Sequence, residues 1–218
     1  MSKTVICVVY VDDCLFWARS KSEIDNVMKS FKEDGPSYNW EHSKRESVSE
    51  FLGIDIKTLD NGGFQFCQTG LIRKVLEATG MEHCNGLPTP TKVEAPLGTD
   101  VNGSEDKRDW TNSYASVIGM MLYLASNTRP DIPFSGYQCA RFTHNTKVSH
   151  KTAVNIICRY LQGTKDNGLV FNPSKKLVVD CYADADFAGL WGHENLQDPI
   201  CARSRTGFAV TFANCHIL

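Results

Sequence analysis

Two adjacent aspartates sit between two short apolar runs near the start of the chain. Residues 5–9, Val5-Ile6-Cys7-Val8-Val9, are rich in β-branched side chains and read as a buried strand. Tyr10-Val11-Asp12-Asp13 interrupts them, and Cys14-Leu15-Phe16-Trp17-Ala18 resumes an apolar, aromatic run. Two such runs around a polar tip predict a β-hairpin, although no Asn-Gly or Asp-Gly turn marks it. Adjacent carboxylates repel each other and are strongly solvated, so beside hydrophobic strands they need either open solvent or a neutralising cation. The first case is an ordinary acidic turn. The second suits Mg2+, a hard ion that takes oxygen ligands and shares its remaining positions with waters and substrate phosphates. Two such ions about 4 Å apart can stabilise the attacking and leaving oxygens of a phosphoryl transfer.

Downstream, helical and strand patterns alternate. Ile24, Val27, Met28 and Phe31 fall at i, i+3, i+4 and i+7, which predicts a helix capped by Ser22 and stopped by Gly35-Pro36. Residues 51–56 and 63–67 predict a second hairpin around Asn61-Gly62. Thr69 can cap a helix carrying Leu71, Ile72, Val75 and Leu76, with Gly80 as its stop. Residues 85–109 hold Pro88, Pro90, Pro96, Gly86, Gly98 and Gly103 and read as a linker. Then come a helix on Tyr114, Val117, Ile118, Met121 and Leu122, a second over 132–142, and a third capped by Ser149 with Val154, Ile157, Cys158 and Leu161 inside. Strands are predicted over 177–182 and 207–212. The class is α+β.

Composition narrows the function. The 218 residues are 42% hydrophobic and 22% charged with a net charge of -2, so any nucleic-acid surface must come from local clustering. The nine cysteines are odd in number and lack CxxC spacing, which points to a reduced intracellular protein rather than a disulfide or zinc scaffold. No apolar run approaches the roughly 20 residues of a membrane span. The first run is too short for a signal-peptide core, and it begins so close to Met1 that a preceding segment is expected. Between 141 and 176 the charges are mostly basic: Arg141, Lys147, Lys151, Arg159, Lys165, Lys175 and Lys176, against Asp166 alone. Such a face can hold phosphates without reading sequence, or be simply solvated. Cys139 and Cys158 sit in apolar stripes and read as small buried hydrophobes.

Tyr10-Val11-Asp12-Asp13 on a hairpin resembles the catalytic motif of reverse transcriptases, and the chain downstream of it resembles the copia-type retrotransposon Pol polyprotein. Four downstream stretches carry that likeness in family order. They are Phe51-Leu52-Gly53-Ile54; Tyr114 to Gly119 with Leu122-Tyr123-Leu124 and Thr128-Arg129-Pro130-Asp131-Ile132; Arg159-Tyr160-Leu161-Gln162-Gly163-Thr164; and Tyr182-Ala183-Asp184-Ala185-Asp186 with Ser204-Arg205-Thr206-Gly207. The resemblance implies a partial palm with the start of the thumb over 1–84, the linker over 85–109, a helical thumb and connection region over 110–176, and an incomplete ribonuclease H-like sheet over 177–218.

It also implies roles. Asp12 would be the catalytic metal-ligand aspartate and Asp13 its partner, while Asp184 would be the first metal-binding carboxylate of the ribonuclease H site. Tyr10 and Val11 would lie near the primer end, and 51–68 would approach the primer strand. Asp186 shares a strand face with Asp184 and is equally a solvated residue or a catalytic one. Arg141, Lys147, Lys151, Arg159 and Lys165 would follow an RNA/DNA hybrid copied from an RNA template. The family's other polymerase aspartate, with the upstream palm and fingers, would precede Met1, and the remaining ribonuclease H acids would follow Leu218. The stretch 190–203 is longer than the family's usual short turn. Neither activity is therefore expected of this chain, although the parent protein would use Mg2+ for both. The competing expectation is a retained, non-catalytic nucleic-acid- or protein-binding module.

Overall fold

The apolar runs that flank the twin aspartates do pair. In the computed structural model β1 (Ile6–Tyr10) and β2 (Asp13–Trp17) are antiparallel, with Tyr10 opposite Asp13 and Cys7 opposite Phe16. The structure describes residues 4–11, 13–34, 48–91, 97–104, 113–187 and 204–217. They fall into two compact units, Met1–Phe51 and Leu52–Leu218.

In the first unit α1 (Lys21–Asp34) follows the hairpin. It begins one residue before Ser22, the expected cap; Ser20 stands ahead of the first turn, its carbonyl accepting from the Glu23 N–H and its hydroxyl paired with that of Ser22. Gly35 and Pro36, the expected stop, lie outside the described residues. The short β3 (Glu50–Phe51) closes the unit.

The second unit opens on a turn. Leu52 and Gly53 have φ of 53° and 72°, so the strand expected from residue 51 starts only at β4 (Ile54–Thr58). The Asn61-Gly62 turn leads into β5 (Phe64–Cys67), antiparallel to β4; Gly62 takes φ 81° and the Asn61 side chain accepts from the Gly63 N–H. α2 (Thr69–Thr79) is preceded by Gln68 as N-cap, not Thr69, whose hydroxyl instead donates to the Lys165 carbonyl. It ends at left-handed Gly80, where glycine carries no Cβ penalty.

α3 (Tyr114–Asn127) is capped by Ser113, whose hydroxyl oxygen accepts from the Ser116 N–H. α4 (Pro133–Ala140) starts on its proline, where a missing N–H costs nothing. α5 (Val148–Gly163) starts one residue before Ser149; that hydroxyl donates across to the Asp100 carboxylate instead of capping. β6 (Leu169–Phe171) was not anticipated, three residues being too short for a periodic signal, and it pairs antiparallel with β5. β7 (Val179–Asp186) and β8 (Arg205–Phe212) run longer than expected, and β9 (Cys215–His216) returns on β8 through Ala213 and Asn214, both at positive φ.

The core lies among α2, α3, α4 and α5. Ile72, Val75, Met121, Leu124, Ile132, Val154, Ile157 and Leu161 are almost wholly removed from solvent, the i, i+3, i+4 stripes having been turned inward. Residues 85–104, where described, run back along α5 from its C-terminal end to its start. Leu87 donates to the Arg159 carbonyl, and a Cβ on Gly86 would sit 2.9 Å from the Gly163 Cα, so backbone meets backbone there. Near the other end His150 is fully buried and both ring nitrogens are engaged. Nδ1 accepts from the Lys147 N–H, so Nε2 carries the proton and donates to the Gly98 carbonyl, while the ring stacks on Phe142. Mixed helices and small antiparallel sheets make this an α+β protein.

Candidate functional site

A two-residue loop, Val11-Asp12, joins β1 to β2. Such loops match strand twist when their residues take positive φ, which glycine and asparagine do easily. Val11 takes φ 52°. A β-branched residue pays about 1–2 kcal/mol for that left-handed geometry. The tip is therefore strained, and Val11 itself is 84% exposed, so no packing of its side chain explains the choice. Asp12 lies outside the described residues. Asp13 and Tyr10 face each other across the strands and are both exposed. The alternation puts Ile6, Val8, Tyr10, Asp13, Leu15 and Trp17 on one face of the hairpin and Cys7, Val9, Cys14 and Phe16 on the other. Leu15 is buried, whereas Ile6 and Val9 stay 57% and 63% exposed.

The second acidic position is on β7. Asp180, Tyr182, Asp184 and Asp186 share a face; Asp184 is opposite Gly207 and Asp186 opposite Arg205. Asp184 is exposed and belongs to the second unit, Asp13 to the first. Among the described residues no three His, Cys, Asp or Glu side chains gather as a metal group. The exposed carboxylates of Asp13 and of Asp184 are each the donor type Mg2+ takes, and one carboxylate leaves most of the ion's near-octahedral shell to other oxygens.

The basic residues do not form one stripe. Lys147 and Lys151 stand one turn apart at the start of α5. Arg159 lies eight residues on, about 80° further round the helix at 3.6 residues per turn, and its Nε donates to the Asn85 carbonyl. Arg141 follows α4; it donates to Gln138 and lies 5.2 Å from the Phe142 ring centre. Lys165 is exposed just past α5.

The most developed polar site involves residues that sequence reasoning had left without a role. Arg129 is 1% exposed. Its Nε and Nη2 donate to Oδ1 and Oδ2 of Asp131 at 3.0 and 2.7 Å, and Nη1 and Nη2 donate to the carbonyl and hydroxyl of Thr164. Tyr160 donates its hydroxyl to Asp131, and its ring lies 5.3 Å from the guanidinium. Burial alone would raise the Asp131 carboxyl, yet hydrogen bonds from Arg129 and Tyr160 and the guanidinium charge hold it below its ordinary value. Desolvation, then the hydrogen bond and charge of Asp131, push the Tyr160 hydroxyl up.

Next to this group Thr128 donates to buried Gln68, ahead of α2, and Tyr123 donates to the Leu52 carbonyl. Two of the family-like sequence blocks, Thr128 to Ile132 and Arg159 to Thr164, are thus the two sides of one latch. Their order in the sequence was visible, but their meeting was not. Elsewhere, burial pushes the Cys139 and Cys158 thiols up to about 12, which leaves them protonated hydrophobes. Among the described residues no helix is long and apolar enough to cross a membrane.

The reverse transcriptase (RNA-dependent DNA polymerase) family matches residues 1–93. An uncharacterized mitochondrial protein of Arabidopsis thaliana is 30% identical over 217 residues, covering 97% of this chain and 80% of its own length. The retrovirus-related Pol polyprotein from transposon RE1 of the same plant is 30% identical over 185 residues, 85% of this chain but 12% of that protein. The retrovirus-related Pol polyprotein from transposon TNT 1-94 of Nicotiana tabacum is 29% identical over 223 residues, again 96% of this chain and 15% of the relative. The chain therefore spans a small part of the Pol polyproteins it matches. No solved structure matches it.

Proposed function

Because the chain belongs to the copia-type retrotransposon Pol family, with reverse transcriptase sequence over residues 1–93, we propose that it is a fragment of an RNA-directed DNA polymerase with ribonuclease H. The observation that carries this reading is the apex Tyr10-Val11-Asp12-Asp13, set between paired strands inside the matched stretch. In this reading 1–84 are palm and the start of the thumb, 85–109 a linker, 110–176 a helical thumb and connection, and 177–218 the beginning of a ribonuclease H-like domain. Asp12 and Asp13 would hold Mg2+ for polymerisation in the complete protein, and Asp184 would hold it for RNA cleavage. When bound, the ion neutralises charge on the transferring phosphoryl group. Tyr10 and Val11 line the primer end. Lys147, Lys151, Lys165, Arg141 and Arg159 hold phosphates of the template-primer hybrid, the two arginines while also bonded within the chain.

These 218 residues alone are expected neither to extend a primer nor to cleave RNA, since adjacent carboxylates at one tip leave the opposing oxygen positions of the ion to be filled from elsewhere. Primer extension on an RNA template with Mg2+ tests this directly. No extension is expected; extension that disappears in Asp12→Asn would sink the proposal. A retained binding module is disfavoured by the hairpin, because Ile6 and Val9 remain both apolar and exposed, whereas a module adapted to stand alone covers such strands or makes them polar.

A further inference from the structure

Cys7 and Cys14 lie on the same face of the β1–β2 hairpin, on opposite strands and two residue pairs out of step: Cys7 is opposite Phe16, and Cys14 opposite Val9. We propose that this pair is an oxidation site, closing as an intramolecular disulfide that encircles the acidic tip. Three observations support it. Both thiols are free, with Cys7 exposed and Cys14 partly so, and an oxidant therefore has access from the Cys7 side. The register makes them diagonal neighbours on one face, and burial first, then the nearby Cys14, push the Cys7 thiol up. The hairpin is a two-stranded sheet of its own, and such ribbons twist and flex more than strands held on both sides.

The flexibility matters because diagonal partners on antiparallel strands have Cα atoms about 7–8 Å apart, slightly beyond the usual disulfide range of about 4.4–6.8 Å. Bringing the sulfurs to an S–S bond of about 2 Å requires a χ1 adjustment and an increase in twist that draws the strands together. The buried cysteines offer no such route. Cys139 and Cys158 are sealed in the helical core, where a peroxide cannot reach them.

With hydrogen peroxide as the oxidant, the sulfur of Cys7 attacks one peroxide oxygen. The O–O bond breaks, and Cys7 becomes a sulfenic acid with release of water. The sulfur of Cys14 then attacks that sulfenic sulfur; the S–S bond forms, the S–O bond breaks and a second water leaves. Two thiols lose two electrons in total, and one peroxide is reduced to two waters. The closed ring contains Val8, Val9, Tyr10, Val11, Asp12 and Asp13, so oxidation pins both strands at the base of the tip. The inference concerns sulfur alone and stands apart from whether the tip grips a metal.

The test uses the full chain. It is treated with hydrogen peroxide, then iodoacetamide, and digested with trypsin without reduction. Residues 4–19 form one tryptic peptide holding both cysteines. The expected product is this peptide two hydrogens lighter than its reduced form and unalkylated, returning to the doubly alkylated form after dithiothreitol. The reaction should run about ten-fold faster in the folded chain than in urea, because folding holds the sulfurs together. Alkylation of both thiols after oxidation, pairing of either with another cysteine, or equal rates in buffer and in urea would each overturn the proposal.

Discussion

Arg129 shows how one side chain can tie distant segments together. A guanidinium that is 1% exposed needs partners in place of water, and the Asp131 carboxylate and both oxygens of Thr164 accept four hydrogen bonds from it. Arg129→Ala removes the charge and also leaves the Asp131 and Thr164 acceptors short of donors. Denaturant unfolding should show a loss of about 3 kcal/mol. Asp131 is about a third exposed, so Asp131→Asn should cost less, about 1–2 kcal/mol after allowance for solvent screening. The pH dependence follows from the lowered Asp131 carboxyl. Its folded value lies below its unfolded one, so the contribution is complete above the ordinary carboxylate range of about 4 and is lost as pH falls through the folded value. Wild type should therefore lose stability more steeply than Asp131→Asn on acidification below about pH 4. Parallel acid profiles for the two proteins would remove Asp131 from the latch.

Among the described residues of the β1–β2 hairpin, the strain is held at one position. Val11 at φ 52° occupies a loop that glycine or asparagine would accept without penalty. Val11→Gly should slow amide exchange in Ile6–Tyr10 and Asp13–Trp17, corresponding to about 1 kcal/mol of added hairpin stability. Unchanged or faster exchange would mean the tip is relaxed as it stands. Within α5 the basic side chains divide similarly by context. Lys147 and Lys151 sit one turn apart on the same side of the helix, whereas Arg159 is committed to the Asn85 carbonyl. Binding of an RNA/DNA hybrid should weaken with salt on a log-log slope of about -4, as five phosphate contacts predict. A Lys147→Ala/Lys151→Ala chain with an undiminished slope would place the interface elsewhere.

At the scale of the molecule, burial is uneven. The large cluster formed by α2, α3, α4 and α5 belongs to the unit Leu52–Leu218, whereas β7 is exposed along nearly its whole length and β1 along all of it. Amides deep in a packed core open only with global unfolding, and those of thin sheets open locally. Hydrogen exchange should accordingly find its slowest amides in α3 and α5 and fast exchange in β1 and β7. Comparable protection in β1 would show that the hairpin has a cover beyond the residues described.

Much of the local structure was readable from residue order. The apolar runs around Asp12-Asp13, the i, i+3, i+4 stripe of α5 and the turn at Asn61-Gly62 each encode their element within a few neighbours, because alternation and helical periodicity are short-range properties. The paired aspartates and the family blocks also pointed to reverse transcriptase from sequence order alone. What stayed hidden depends on contacts between segments far apart. β6 pairs with β5, and the Gln65 side chain reaches the Asp166 carbonyl 101 residues away. Arg129 gives no sign in its own neighbourhood that it is buried, since Thr164 and Tyr160 come to it from another helix. The same holds for the cysteines: nothing in their spacing separates Cys158, enclosed by the helices, from Cys7, open on a twisted ribbon. Which polar groups end up sharing a desolvated space is fixed by how the chain closes on itself, and no local pattern carries that information.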